Sequence, residues 1–191
     1  MTPTDRTFHI ADDFHPGDVA PIVALHMAYY GPLWGLGRVF EKSVRRGLDD
    51  FARRFTPGQD GAWLVRDRDG APHGSLFIDR RGPEDPTPDR PETAFLRWFI
   101  MGERCRGTGL GRRMVAAAAA FCDEKGHDCR LYTFPGLKAA RRLYESAGFR
   151  LTHETPDTLW GPDMMKQTFI RRQGASWQDS AIKHPLTGAE T

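Results

Sequence analysis

One short stretch, Arg106-Gly107-Thr108-Gly109-Leu110-Gly111, sits between an apolar strand-like run and a long alanine-rich helix. The run before it is Ala94-Phe95-Leu96-Arg97-Trp98-Phe99-Ile100-Met101; the pattern after it, Arg112 to Lys125, has no Gly or Pro to interrupt a helix. A strand that turns through three glycines into a helix presents backbone N–H groups that the helix cannot satisfy itself. Those donors and the helix dipole favour a phosphate or pyrophosphate there, the dipole by roughly 0.3–1 kcal/mol. Two common phosphate loops are excluded by spacing. A dinucleotide Gly-x-Gly-x-x-Gly needs glycine where Arg112 stands, and a Walker A loop needs Gly-Lys-Ser/Thr at its end.

A second pattern lies downstream. After a strand-like Cys129-Arg130-Leu131-Tyr132-Thr133-Phe134 comes Ala139-Ala140-Arg141-Arg142-Leu143-Tyr144-Glu145-Ser146-Ala147-Gly148-Phe149. This reads as an amphipathic helix closed by Gly148, with Phe149 starting the next strand. The coarse reading of the rest places a strand near Arg6–Ala11 and a helix from Asp18 to Tyr30, with Ile22, Leu25, His26 and Tyr29 on one face. A Gly/Pro-rich break at Gly31–Gly37 precedes a second helix, Val39 to Phe55. Ala62–Arg68 and Gly74–Arg80 form a hairpin around Asp69-Gly70, residues 81–92 a proline-rich loop, and Phe149–Thr155 and Met164–Arg171 the last two strands. One domain over residues 1–172, followed by a polar tail at 173–191, is the expected organisation.

Composition narrows the function classes. A net charge of +2 and 39% hydrophobic content fit one buried core, and paired arginines scattered along the chain without aromatic interleaving argue against a nucleic-acid partner. No run approaches the ~18–20 apolar residues of a membrane helix, and no basic segment leads into an apolar one at the start, so neither a membrane nor a secretory route is expected and the cytoplasm is. Three cysteines, Cys105, Cys122 and Cys129, cannot all pair and lack Cys-x-x-Cys spacing, so no disulfide framework or metal site is expected.

Arg106, Gly109 and Gly111 match Arg/Gln-x-x-Gly-x-Gly/Ala, and Ala140, Leu143, Tyr144, Gly148 and Phe149 lie within a second matching pattern. Together the two motifs resemble the Gcn5-related N-acetyltransferases (GNAT). Residues such as His26, Tyr30, Phe40-Glu41 and Trp160-Gly161 are most similar to the acetyltransferase half of bacterial proteins that join a winged-helix regulator to this domain; the regulator half is expected to be missing here. The resemblance implies a mixed α/β fold, a mostly antiparallel sheet of about seven strands flanked by about four helices. It also implies an acyltransferase that moves the acetyl group of acetyl-coenzyme A to a primary amine of a small molecule, amino acid or protein in a ternary complex. A non-catalytic acyl-coenzyme A sensor is the alternative. No metal is called for, the partner is a small-molecule or peptide amine, and a homodimer is left open.

The resemblance also assigns residues. The cofactor falls to Phe99, Ile100 and Met101 on the strand and to Arg106, Gly107, Thr108, Gly109, Leu110, Gly111 and Arg112 in the cradle. Tyr144 takes the place of the general acid, a role its chemistry allows because a phenol near pKa ~10 lies only ~1.5 units above a thiol. For the base, Glu41, Glu92, His26 and His153 are candidates, with Glu41 preferred for its position on the second helix. His26, Tyr30, Arg97 and Trp160 are expected to border the acceptor. Arg97, alone in an apolar strand, either binds a substrate carboxylate or pairs with Glu92 or Asp79. The family's asparagine at the start of the tyrosine helix is replaced by Leu137.

Overall fold

The computed structural model describes residues 8–82, 93–158 and 164–176. Trp160, Glu92, most of the proline-rich loop and the tail beyond residue 176 lie outside the described residues. The elements are β1 (His9–Ala11), α1 (Val19–Trp34), α2 (Arg38–Arg54), β2 (Gly61–Arg66), β3 (Pro72–Asp79), β4 (Thr93–Met101), α3 (Leu110–Glu124), β5 (Asp128–Thr133), α4 (Lys138–Ser146), β6 (Arg150–Asp157) and β7 (Met164–Arg171). The seven strands form one sheet in the order β1-β2-β3-β4-β5-β7-β6. Every neighbouring pair is antiparallel except β4 and β5. The fold is therefore the mixed α/β arrangement expected, with four α-helices among the described residues.

Strand alternation divides the core between the two faces of the sheet. Leu64 of β2 and Phe77 of β3 face α1 and α2, in a cluster with Ile22, Val44, Leu48 and Phe51. Val65, Leu76 and Ile78, their immediate neighbours, face the other way against Met114, Val115 and Ala118 of α3, where Tyr144 and Phe149 also pack. The β2–β3 turn is held by the Asp67 side chain, whose Oδ1 accepts from the Asp69 and Ala71 amides, each at 3.0 Å.

Helix α1 runs one turn further than the Gly31–Gly37 stretch suggests, through Gly31 and Pro32 to Trp34. Pro32 forfeits one helical hydrogen bond, but the extra turn carries Trp34 onto Phe134 with ring centroids 5.4 Å apart. Tertiary packing here outweighs the local breaker signal. Gly35 then ends the helix, its N–H donating to Gly31 O.

Strand β4 is irregular on both of its edges. Its parallel pairing with β5 covers only Thr93 to Phe95, so the two strands part from Leu96 onward. On its other side, β3 residues Ser75 and Phe77 oppose Ile100 and Arg97, which leaves one extra residue in β4. That bulge contains Trp98 at φ 46°, and the Ser75 hydroxyl donates to Trp98 O at 2.8 Å. A bulge bends and re-aims its strand, here at the point where β4 leaves β5.

Candidate active site

The parting of β4 and β5 opens two adjoining cavities. The smaller, about 360 Å³, lies over the start of α3 and is lined by Phe99, Ile100 and Met101 of β4, by Arg106, Gly107 and Gly109 of the turn, by Gly111 and Arg112 of the first turn of α3, by Leu137 just before α4, and by Ala140 and Leu143 within it. The larger, about 680 Å³, runs from the parted strands to α1 and α2 and is lined by His26, Tyr30, Phe40, Ser43, Arg46, Gly47, Asp50, Arg97, Trp98, Phe99 and Tyr144, among others. Tyr30 and Phe99 line both, so the two cavities meet at those rings.

The smaller cavity is a backbone construction. Gly107 and Gly109 adopt left-handed conformations, φ 76° and 80°, that side-chain-bearing residues seldom take, and Gly109 is the residue from which α3 starts. The N–H groups of residues 107–111 have no partner among the described residues; the first inward bond runs from Arg113 N to Gly109 O at 3.1 Å. Gly111 keeps the opposite wall clear, since a Cβ there would stand 3.3 Å from the Phe99 ring. Arg106 is anchored at the mouth, its Nε donating to Met101 O at 3.1 Å and its guanidinium lying over the Tyr29 ring at 4.4 Å. The side chains of Thr108 and Leu110 turn away from the cavity: the Thr108 hydroxyl donates to Cys105 O, and Leu110 packs into the core, so only their backbone amides belong to the cradle. Free amides, a nearby cation and an apolar far wall suit a phosphate chain joined to a less polar arm. Tyr29, which periodicity places only on the α1 face with Ile22, Leu25 and His26, also lines this cavity.

Tyr144 reaches the larger cavity from the last turns of α4. The helix ends in a Schellman arrangement, with Phe149 N–H bonded to Tyr144 O at 3.0 Å and Gly148 at φ 91°. The ring is 6% exposed and packs near Phe99, Phe149 and Phe169, while its hydroxyl has no hydrogen-bond partner among the described residues. Burial pushes the phenol well above its ordinary value, so the side chain keeps its proton at neutral pH.

On the far side, His26 is 3% exposed and its Nδ1 lies 2.9 Å from Ile22 O. A carbonyl only accepts, so Nδ1 carries the hydrogen and Nε2 keeps its lone pair. Burial pushes the imidazole down to about 4, against the hydrogen bond to Ile22, which works the other way. The stacked Tyr30, 6.0 Å away, is likewise held protonated by burial. Glu41 occupies the first turn of α2, next to the cavity-lining Phe40, but lines neither cavity itself. His153 is exposed on β6, away from both.

Arg97 is fixed by Asp79. The Asp79 side chain is wholly buried, and it accepts from Arg54 at 2.8 and 2.7 Å, from Arg97 Nη1 at 2.9 Å and from the Arg81 and Gly82 amides. Burial pushes this carboxyl up, but the arginines outweigh it and hold it below the usual range. Arg97 also stacks on Trp98, guanidinium to ring centroid 4.0 Å. Asp79 thus organises the wall of the larger cavity. Its signal in the sequence is a single carboxylate closing the apolar run Leu76-Phe77-Ile78. Helix α2 contributes the polar residues Ser43, Arg46, Asp50 and Arg53 to this cavity, none of which lies in either sequence motif.

A profile described as acetyltransferase (GNAT) family matches residues 22–149. Among solved structures, yncA from Salmonella typhimurium, determined with its cofactor acetyl-CoA, superimposes with a TM-score of 0.67 at 14% identity, covering 92% of this chain and 99% of that one. A ribosomal-protein-alanine N-acetyltransferase from Brucella melitensis gives 0.63 at 17% identity, covering 86% and 99%. A spermidine N-acetyltransferase chimera from Vibrio cholerae gives 0.59 at 15% identity, covering 87% and 95%. These identities speak to a shared fold. No curated protein matches the chain.

Proposed function

We propose, for a chain that belongs to the acetyltransferase (GNAT) family, that it transfers the acetyl group of acetyl-coenzyme A to a primary amine by direct attack with both substrates bound. The observation that carries this reading is the junction of the two cavities at Tyr30 and Phe99, with a cradle of amides on one side and a tyrosine hydroxyl on the other, neither of which has a hydrogen-bond partner among the described residues. The cradle fits a pyrophosphate: the free N–H groups of residues 107–111 receive its oxygens, and Arg106 and Arg112 supply cationic charge at its edge. Phe99, Ile100 and Met101, where β4 has left β5, border the arm that carries the thioester. When bound, acetyl-coenzyme A supplies the thioester carbon that the amine nitrogen attacks.

Two protons then have to move. As the C–S bond breaks, the leaving sulfur takes one, and Tyr144 is the donor we assign. Unperturbed values make that transfer uphill by only ~2 kcal/mol, and burial of the phenol adds to this. Tyr144 therefore acts first as a hydrogen-bond donor to the departing sulfur and yields its proton late. The second proton leaves the amine through water, with Glu41 at the start of α2 as its acceptor. His26, buried and neutral with its Nδ1 hydrogen on Ile22 O, serves as a neutral wall.

Release of free coenzyme A thiol, followed over a panel of amines, tests the reading. Tyr144→Phe is expected to lower kcat about 100-fold or more while the KM for acetyl-coenzyme A stays within twofold. Glu41→Gln is expected to lower kcat about tenfold, and unchanged turnover in that variant removes Glu41 from the pathway. Acetyl-coenzyme A binding without turnover of any amine would leave the sensor reading in its place.

A further inference from the structure

The charge of the larger cavity has no role in the acetyl-transfer chemistry itself. Three arginines line it, Arg46, Arg53 and Arg97, against one carboxylate, Asp50. That carboxylate is already spoken for, with Arg53 at 3.2 Å and Arg54 at 2.9 Å. Arg46 has no partner among the described residues and stands at the rim. Arg97 uses only Nη1 on Asp79; Nε and Nη2 are bonded to no described residue, although its side chain is only 23% exposed. A guanidinium held rigid on one edge by a buried carboxylate and on its face by Trp98, with its other donors open to a cavity, is a preorganised anion receptor. The rest of the wall near it is aromatic, from Phe95, Trp98, Tyr132 and Phe134.

Resting on the acetyl-transfer reading, we infer that the acceptor is an amine that carries its own carboxylate on an apolar or aromatic body, that is, an amino acid, with Arg97 gripping the carboxylate and Arg46 adding charge at the rim. Such a ligand is zwitterionic before reaction, and its carboxylate end is the end this wall attracts. A polyamine brings only positive charge to three arginines and is disfavoured. The aromatic rings take the side chain and exclude water from it, which strengthens the ion pair at Arg97. His26 adds no opposing or assisting charge at neutral pH, because burial keeps it neutral.

Equilibrium binding to the full chain, saturated with coenzyme A, separates these cases. The probes are three matched pairs that differ only by the carboxylate: phenylalanine and phenethylamine, tryptophan and tryptamine, leucine and 3-methylbutylamine, with spermidine as the cationic control. At least one amino acid is expected to bind tenfold or more tighter than its decarboxylated partner, and Arg97→Met to reduce that ratio to twofold or less. Asp79 keeps both bonds from Arg54 in that variant, so the fold survives. Arg46→Gln, at an exposed position without a bond among the described residues, is expected to weaken the same amino acid about threefold. Acetyl-coenzyme A affinity, read by thermal shift, stays unchanged in both variants. The inference is overturned if a decarboxylated amine or spermidine binds as tightly as every amino acid, if no amino acid binds, or if Arg97→Met leaves the ratio intact. Amino-acid binding to a chain that shows no thermal shift with acetyl-coenzyme A would instead overturn the transferase reading and leave the anion receptor standing.

Discussion

The two cavities that meet at Tyr30 and Phe99 are built by different means. The smaller is made of backbone: amides of residues 107–111, two left-handed glycines and the first turn of α3. The larger is made of side chains drawn from α1, α2, β4, β5 and α4, several of them charged or titratable. A backbone site depends on conformation, so it constrains which residues are tolerated and leaves a short, spaced trace in the sequence. A side-chain site depends on tertiary placement, and its members are scattered over more than a hundred positions, from His26 to Tyr144.

The contrast predicts that changes of charge and pH register mainly on the acceptor side and in the fold, while the cradle answers first to backbone geometry, with Arg106 and Arg112 adding charge at its edge. The largest effect belongs to Asp79→Ala. It strips a wholly buried carboxylate from Arg54 and Arg97 and is expected to cost about 3–5 kcal/mol of stability, measured by urea denaturation. A loss under 1 kcal/mol would mean that the wall of the larger cavity does not depend on this carboxylate.

His26 gives the next effect. Its folded proton affinity, about 4, lies below the unfolded value of 6.5, so between those pH values the unfolded chain binds more protons. Stability should therefore fall as pH drops through that window, by up to about 3 kcal/mol from this residue. Buried carboxylates such as Asp79 also lose stabilisation at the acid end. The comparison is thus with His26→Asn, whose amide can replace the Nδ1 bond to Ile22 O and does not titrate. The variant should show a shallower decline, and identical pH profiles would place His26 in contact with water rather than in the buried setting described.

The same contrast explains which parts of the molecule are legible in the sequence. Strand–glycine–helix order placed the cradle, and Gly148-Phe149 placed the end of α4 and hence Tyr144, because each rests on a backbone requirement that glycine alone meets cheaply. The order of the elements followed from periodicity. The end of α1 did not, because Gly31 and Pro32 signal a break that the packing of Trp34 on Phe134 overrides. Arg46 and Asp50 were illegible as cavity residues for a similar reason: on an amphipathic helix they look like solvent-facing charges until β4 is set beside them. The bulge at Trp98, which parts β4 from β5, has no sequence signature, since a positive φ is rarely adopted by a residue of that size.

The measurement that bears most directly on the whole account is calorimetric titration of acetyl-coenzyme A into the wild-type chain, Gly109→Val and Tyr144→Phe. Valine at φ 80° is strained by roughly 1–2 kcal/mol and tilts the free amides out of register, so its affinity should fall about tenfold. One molecule is expected to bind per wild-type chain, with that loss in Gly109→Val and an affinity within twofold of wild type in Tyr144→Phe. No binding to the wild-type chain, or equal binding to the wild-type and Gly109→Val chains, would contradict this expectation.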